Sequence, residues 1–142
     1  MRLVDLTAKP WQLMLPGEKE ISLNKMVYLP GTLDEFGVGH EDRLDNSCHP
    51  DETTAQSFDD DVIATRFTRK HTYEGPAYFE QEITIAPADK CRTFFEIERA
   101  RCVRVYLDGE EISSYEEQTI STPHVFELTG HEGIHRLCVE SD

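Results

Sequence analysis

Carboxylates are the most plentiful reactive groups in this chain, 28 of 142 residues. Two carboxylates held ~5 Å apart can divide a hydrolysis between an acid/base and a nucleophile. Asp34-Glu35 and Glu96/Glu98 are the obvious pairs. The first falls in a turn-like stretch and the second on a solvent-facing strand edge, so neither is assigned a catalytic role. Asp59-Asp60-Asp61, with Glu41 and Asp42, offers hard oxygen ligands of the kind Ca²⁺ takes. Their spacing lacks the alternating pattern of a dedicated loop. A solvated acidic loop is the favoured reading, with calcium the one cofactor to weigh against it. His131 and His135 are four apart but flank a glycine-containing turn rather than share a helix face, so zinc is not expected. No nucleophile elbow supports Ser-His-Asp chemistry.

The four cysteines, Cys48, Cys91, Cys102 and Cys138, form no CxxC pair. Cys102 and Cys138 lie in apolar, strand-like runs and read as small buried hydrophobes. Free thiols in a soluble cytoplasmic protein are the expectation. The formal net charge of −14 repels phosphate backbones and anionic bilayers, which argues against nucleic-acid and membrane partners. No apolar run approaches the ~20 residues of a membrane span. A single domain over 1–142 is expected, large enough for a core without metal or disulfide staples.

The elements that would position any site read as strands. Trp11, Leu13 and Leu15 alternate with Gln12 and Met14, a period of two with one buried face. A short strand follows within 21–29. The segment 38–61 carries eight acidic residues against one basic, Arg43, without apolar periodicity. It reads as a long surface loop. From Val62 strand signals return. Phe79, Gln81, Ile83 and Ile85 share one face, so Gln81 needs a hydrogen-bond partner there. The run 92–104 has helix-favouring composition, but alternation of Val103, Val105 and Leu107 downstream favours strands. Asp108-Gly109 predicts a tight hairpin, with the next strand starting near Ile112. Pro123 precedes a strand rather than interrupting one. Two further short strands follow, within 125–128 and 134–139. Many short strands with no clear amphipathic helix predict an all-β sandwich.

Several motifs resemble, in order, the N-terminal sugar-binding domain of glycoside hydrolase family 2, the β-galactosidase and β-glucuronidase family. They are Trp11; Leu29-Pro30-Gly31-Thr32-Leu33-Asp34-Glu35; Arg66-Phe67-Thr68-Arg69; Tyr73-Glu74-Gly75-Pro76-Ala77-Tyr78-Phe79; Glu98-Arg99-Ala100-Arg101; Val105-Tyr106-Leu107-Asp108-Gly109; and Ser121 through Thr129. The resemblance implies a jelly-roll, galactose-binding-like sandwich. It also implies a non-catalytic role, buttressing a catalytic barrel and shaping its sugar pocket in carbohydrate metabolism. The implied partners are that barrel, an immunoglobulin-like domain and carbohydrate. Arg66, Arg69, Tyr73 and Glu74, just before Gly75-Pro76, become the residues expected near carbohydrate or at the interdomain face. Their plainer reading is a set of surface ion pairs.

Two departures matter. The Asp-Asn pocket loop and the closing Gly-Ile strand that the family usually carries after the strand matching 136–140 do not occur in this sequence. An open sheet edge or uncovered face would then favour self-association. An independent lectin-type module and a protein-interaction sandwich are the alternative functions.

Overall fold

A computed structural model of the chain describes residues 2–16, 24–41, 71–87, 91–114, 119 and 122–141. These residues fall into two compact units, one of Met1–Leu29 with Gly75–Asp142, the other of Pro30–Glu74.

Among the described residues the larger unit has eight strands. Six form an antiparallel sheet in the order β2 (Asn24–Val27), β1 (Trp11–Met14), β5 (Ala77–Ile85), β10 (Gly133–Ser141), β7 (Val103–Leu107), β8 (Glu110–Ile112). β6 (Phe94–Ile97) and β9 (His124–Glu127) pair in a second sheet. Ser114, two residues past β8, bridges to Phe126 of β9, so the chain crosses from one sheet to the other there. The result is the all-β jelly-roll sandwich expected from the sequence.

The register explains the core. Leu13, Phe79, Val139, Val105 and Ile112 stand opposite one another across five strands. A row of apolar side chains thus runs across the inner face. Leu13, Val105 and Leu137 are wholly buried, and Phe95, Phe126 and Leu128 supply buried side chains from the second sheet and its exit. Burying a Leu or Val of this kind contributes about 1.5–3 kcal/mol. The period-two reading of β1 and β5 holds: Trp11, Leu13, Gln81, Ile83 and Ile85 are buried, while Glu82 and Thr84 face water.

Three prolines each stand one residue before a strand: Pro10, Pro76 and Pro123. A proline there starts the strand without removing a ladder donor. The β7–β8 hairpin turns on Asp108 (φ 51°) and Gly109 (φ 88°). Positive φ at both central residues is the two-residue turn whose twist matches the flanking strands. The strand resumes at Glu110, two residues earlier than expected, because the loop is only two residues long.

In the smaller unit, Thr32 and Glu35 cap each other. The Thr32 amide donates to Glu35 Oε2 (2.8 Å), and the Glu35 amide to Thr32 Oγ1 (3.2 Å). Gly31 leaves room for the Phe36 ring; a Cβ there would lie 2.5 Å from Phe36 Cζ. β3 (His40–Glu41) pairs with β4 (His71–Thr72), and Val38 is buried. The surface loop expected from residue 38 therefore does not begin there, since Val38 packs and residues 40–41 are strand. The rest of the acidic stretch, 42–61, lies outside the described residues, as does Cys48.

Candidate functional site

Alternation on β5, β10 and β7 that buries one set of side chains pushes the other set to the outer face of the six-stranded sheet. Glu80, Cys138, Tyr106 and Glu111 are cross-strand neighbours there. Tyr78, Glu140 and Arg104 form the next row, and Glu82 stands opposite Arg136. Tyr106 Oη donates to Glu140 Oε2 at 2.8 Å, and Arg104 Nη1 lies 3.5 Å from Oε1 of the same carboxylate. Arg136 Nε lies 3.2 Å from Glu80 Oε1. A hollow of about 660 Å³ opens over Glu80, Glu82, Cys138, Tyr106 and Arg136, between Tyr78 and the Asp108-Gly109 turn. The Glu140 bond raises the pKa of the Tyr106 hydroxyl, with burial adding to it. Burial, then the charges of Glu80 and Glu140, pushes the Cys138 thiol up to about 11.

At one end of the hollow, Asp108 does two jobs. Its Oδ1 accepts the Arg136 amide (2.8 Å), extending the β7–β10 ladder by a side chain. Its Oδ2 accepts from His135 Nδ1 (2.6 Å), and His135 Nε2 faces the Glu132 carbonyl (3.2 Å). Both ring nitrogens thus face oxygen acceptors, which favours the imidazolium. The bond to Asp108 is the main cause of the raised His135 pKa. The letters His131-Glu132-Gly133-Ile134-His135 spell HExxH, a metal signature when a helix aligns both imidazoles. Here the stretch is a turn entering β10, and the two rings meet edge to face at 6.3 Å. Among the described residues no group of three or more His, Cys, Asp or Glu is placed to hold a metal.

A second hollow of about 330 Å³ lies where the chain changes sheets, with Val103, Ile112 and Phe126 alongside Ser113, Ser114 and Glu140.

The residues singled out from the sequence fare unevenly. Arg66 and Arg69 lie outside the described residues. Tyr73 is half-buried and Glu74 exposed, directly after β4, and neither lines the two hollows. Asp34 holds His71, accepting its amide (2.7 Å) and facing Nδ1 (3.2 Å), a structural use of that carboxylate. Glu96 and Glu98 are exposed, as a solvent-facing edge requires. Cys102 is not a buried hydrophobe: it is exposed in the bend before β7, because inward alternation begins at Val103. Cys138 is only half-buried, since it points to the outer face. The outer-face residues were missed as a group. The alternation of Glu80, Glu82 and Thr84 marks a solvent face, but only strand pairing brings Arg136 and Tyr106 beside it.

No protein-family model matches the chain, and no curated relative does. Solved structures do match its fold. The Faecalibacterium prausnitzii β-glucuronidase superposes with a TM-score of 0.54 at 16% identity, over 94% of this chain and 20% of that one. For the Ruminococcus gnavus β-glucuronidase the values are 0.56, 14%, 94% and 20%. For the β-D-glucuronidase of Dictyoglomus thermophilum they are 0.52, 12%, 94% and 18%. The likeness is one of fold, and the chain spans about a fifth of the length of these structures.

Proposed function

We propose that the chain is a non-catalytic, sugar-binding-type sandwich domain of a family 2 glycoside hydrolase. It supports the catalytic barrel and one wall of the sugar pocket, in carbohydrate metabolism. One observation carries the reading: 94% of the chain superposes on about a fifth of several β-glucuronidases. The ordered motifs from Trp11 to Thr129 point the same way. In this reading Tyr73 and Glu74, with Arg66 and Arg69, lie toward carbohydrate or a neighbouring domain. The catalytic carboxylates belong to the barrel, and neither Asp34-Glu35 nor Glu96/Glu98 replaces them. Fold likeness alone does not fix the substrate, so the parent activity is given as the class β-glucuronidase or β-galactosidase.

An antiserum against the purified chain tests this in cells that express it. The expected result is a polypeptide much larger than 16.3 kDa whose immunoprecipitate hydrolyses an aryl β-glucuronide or β-galactoside. The purified chain itself should hydrolyse neither. A polypeptide of only 16.3 kDa, or hydrolysis by the chain that a point substitution abolishes, would overturn the proposal.

A further inference from the structure

The hollow on the outer sheet face has an origin in the register. Cys138 sits mid-strand on β10, flanked across the ladders by Glu80 and Tyr106. Arg136 and Glu140, two residues away along the strand, share its face. One small side chain ringed by large ones leaves a depression with the thiol as part of its lining.

Its polar groups are already oriented. Arg136 is paired with Glu80 in its lining, and the Tyr106 hydroxyl is held from outside it by Glu140. Each carboxylate is held by its partner and still has lone pairs free to accept. Tyr78 and Tyr106 add two aromatic rings that are half-exposed. Such rings present an apolar face and a polar tip. An apolar ring face, fixed carboxylates and a guanidinium together match a pyranose, whose C–H face packs on aromatics and whose hydroxyls bond to carboxylates. About 660 Å³ falls within the ordinary range for small-ligand pockets.

Charge narrows the class. Glu80, Glu82 and Asp108 outnumber Arg136 and His135 in its lining. A uronate carboxylate would be repelled there.

The geometry points to a second carbohydrate subsite on the outer face of the six-stranded sheet. It takes an uncharged pyranose unit of an oligosaccharide between Tyr78, Glu80, Tyr106 and Arg136. This subsite goes beyond the accessory role proposed above and does not depend on it, because every group it uses belongs to the described strands.

The test is an amide-resolved NMR titration of the full chain with lactose, cellobiose and mannobiose, with glucuronic acid and trilysine as comparators. At least one uncharged disaccharide should shift amides of 78–82, 104–108 and 136–140 with millimolar affinity, and glucuronic acid should bind at least ten-fold more weakly. Cys138→Trp, which fills the hollow, should weaken binding at least ten-fold without a changed fold. If that variant does not fold, Tyr78→Ala should show the same loss. The proposal fails if no disaccharide shifts these amides at 50 mM, if shifts fall elsewhere, or if glucuronic acid binds equally well. It also fails if binding survives in a folded variant. A response to trilysine alone would replace it with a site for basic peptides.

Discussion

Gln81 and Trp11 donate to the same oxygen, the Leu6 carbonyl, each at 3.2 Å. Gln81 Nε2 also lies 3.2 Å from the carbonyls of Lys9 and Pro10. One buried amide on β5 therefore gathers the backbone acceptors of the segment that leads into β1. Its own Oε1 is buried without a partner among the described residues.

Gln81→Leu removes the donors; the Leu6 carbonyl keeps Trp11, and those of Lys9 and Pro10 are left to find water. Losing a buried partner of this kind costs about 1–3 kcal/mol. Urea denaturation should show an unfolding free energy lower by that amount, and amides of 6–9 should exchange faster than in the parent chain. An unchanged midpoint would mean that the relief of Oε1 offsets the lost donors.

The need for a partner at Gln81 was legible from its place in the alternation of β5; the partner was not. It lies 71–75 residues away, on carbonyls that carry no sequence signal. The strands were legible wherever one face is buried, because alternation is imposed by the core. Asp108-Gly109 was legible because positive φ restricts residue type. The outer face was not, since Glu80, Arg136 and Tyr106 become neighbours only through long-range pairing. Cys102 was misread because the apolar run was taken to start one residue ahead of Val103, where inward alternation begins.

His135 and Asp108 make stability depend on pH. The folded His135 pKa is raised above its ordinary 6.5, chiefly by the Asp108 bond. A group raised on folding stabilises fully below its unfolded pKa, and that contribution fades as pH rises through the folded value. Stability should therefore decline as pH rises above 6.5, by a component that His135→Gln abolishes. Thermal melts of both chains between pH 5.5 and 9 would show it, and parallel curves would exclude it.

Glu127 works in the opposite sense. Arg92 donates to both its oxygens, at 2.9 and 2.7 Å, while its guanidinium lies 4.9 Å from the centre of the Phe94 ring. The Arg92 bonds, then the Thr129 bond, hold the Glu127 carboxyl down at about 2. A depressed group stabilises above its unfolded pKa, and this is lost as pH falls from 4.5 through about 2. Glutamate carboxyl NMR should show Glu127 titrating last on acidification. Arg92→Ala should return it toward the ordinary range. A Glu127 that titrates with the other glutamates in the parent chain would contradict the clasp.

Thiol reactivity separates the described cysteines. The thiolate is the nucleophile, so reactivity follows ionisation and access. Cys91 and Cys102 are exposed. Cys138 is half-buried, and its thiol is raised from 9.0 to about 11. That shift alone lowers its thiolate fraction at pH 8 about 100-fold. Under iodoacetamide at pH 8, peptide mapping should find Cys91 and Cys102 modified early and Cys138 last. Glu80→Gln removes one of the charges that raise the thiol and should speed labelling at Cys138 without altering Cys91. Equal rates at all three in the folded chain would mean that the outer face is neither as negative nor as closed as the strand register makes it.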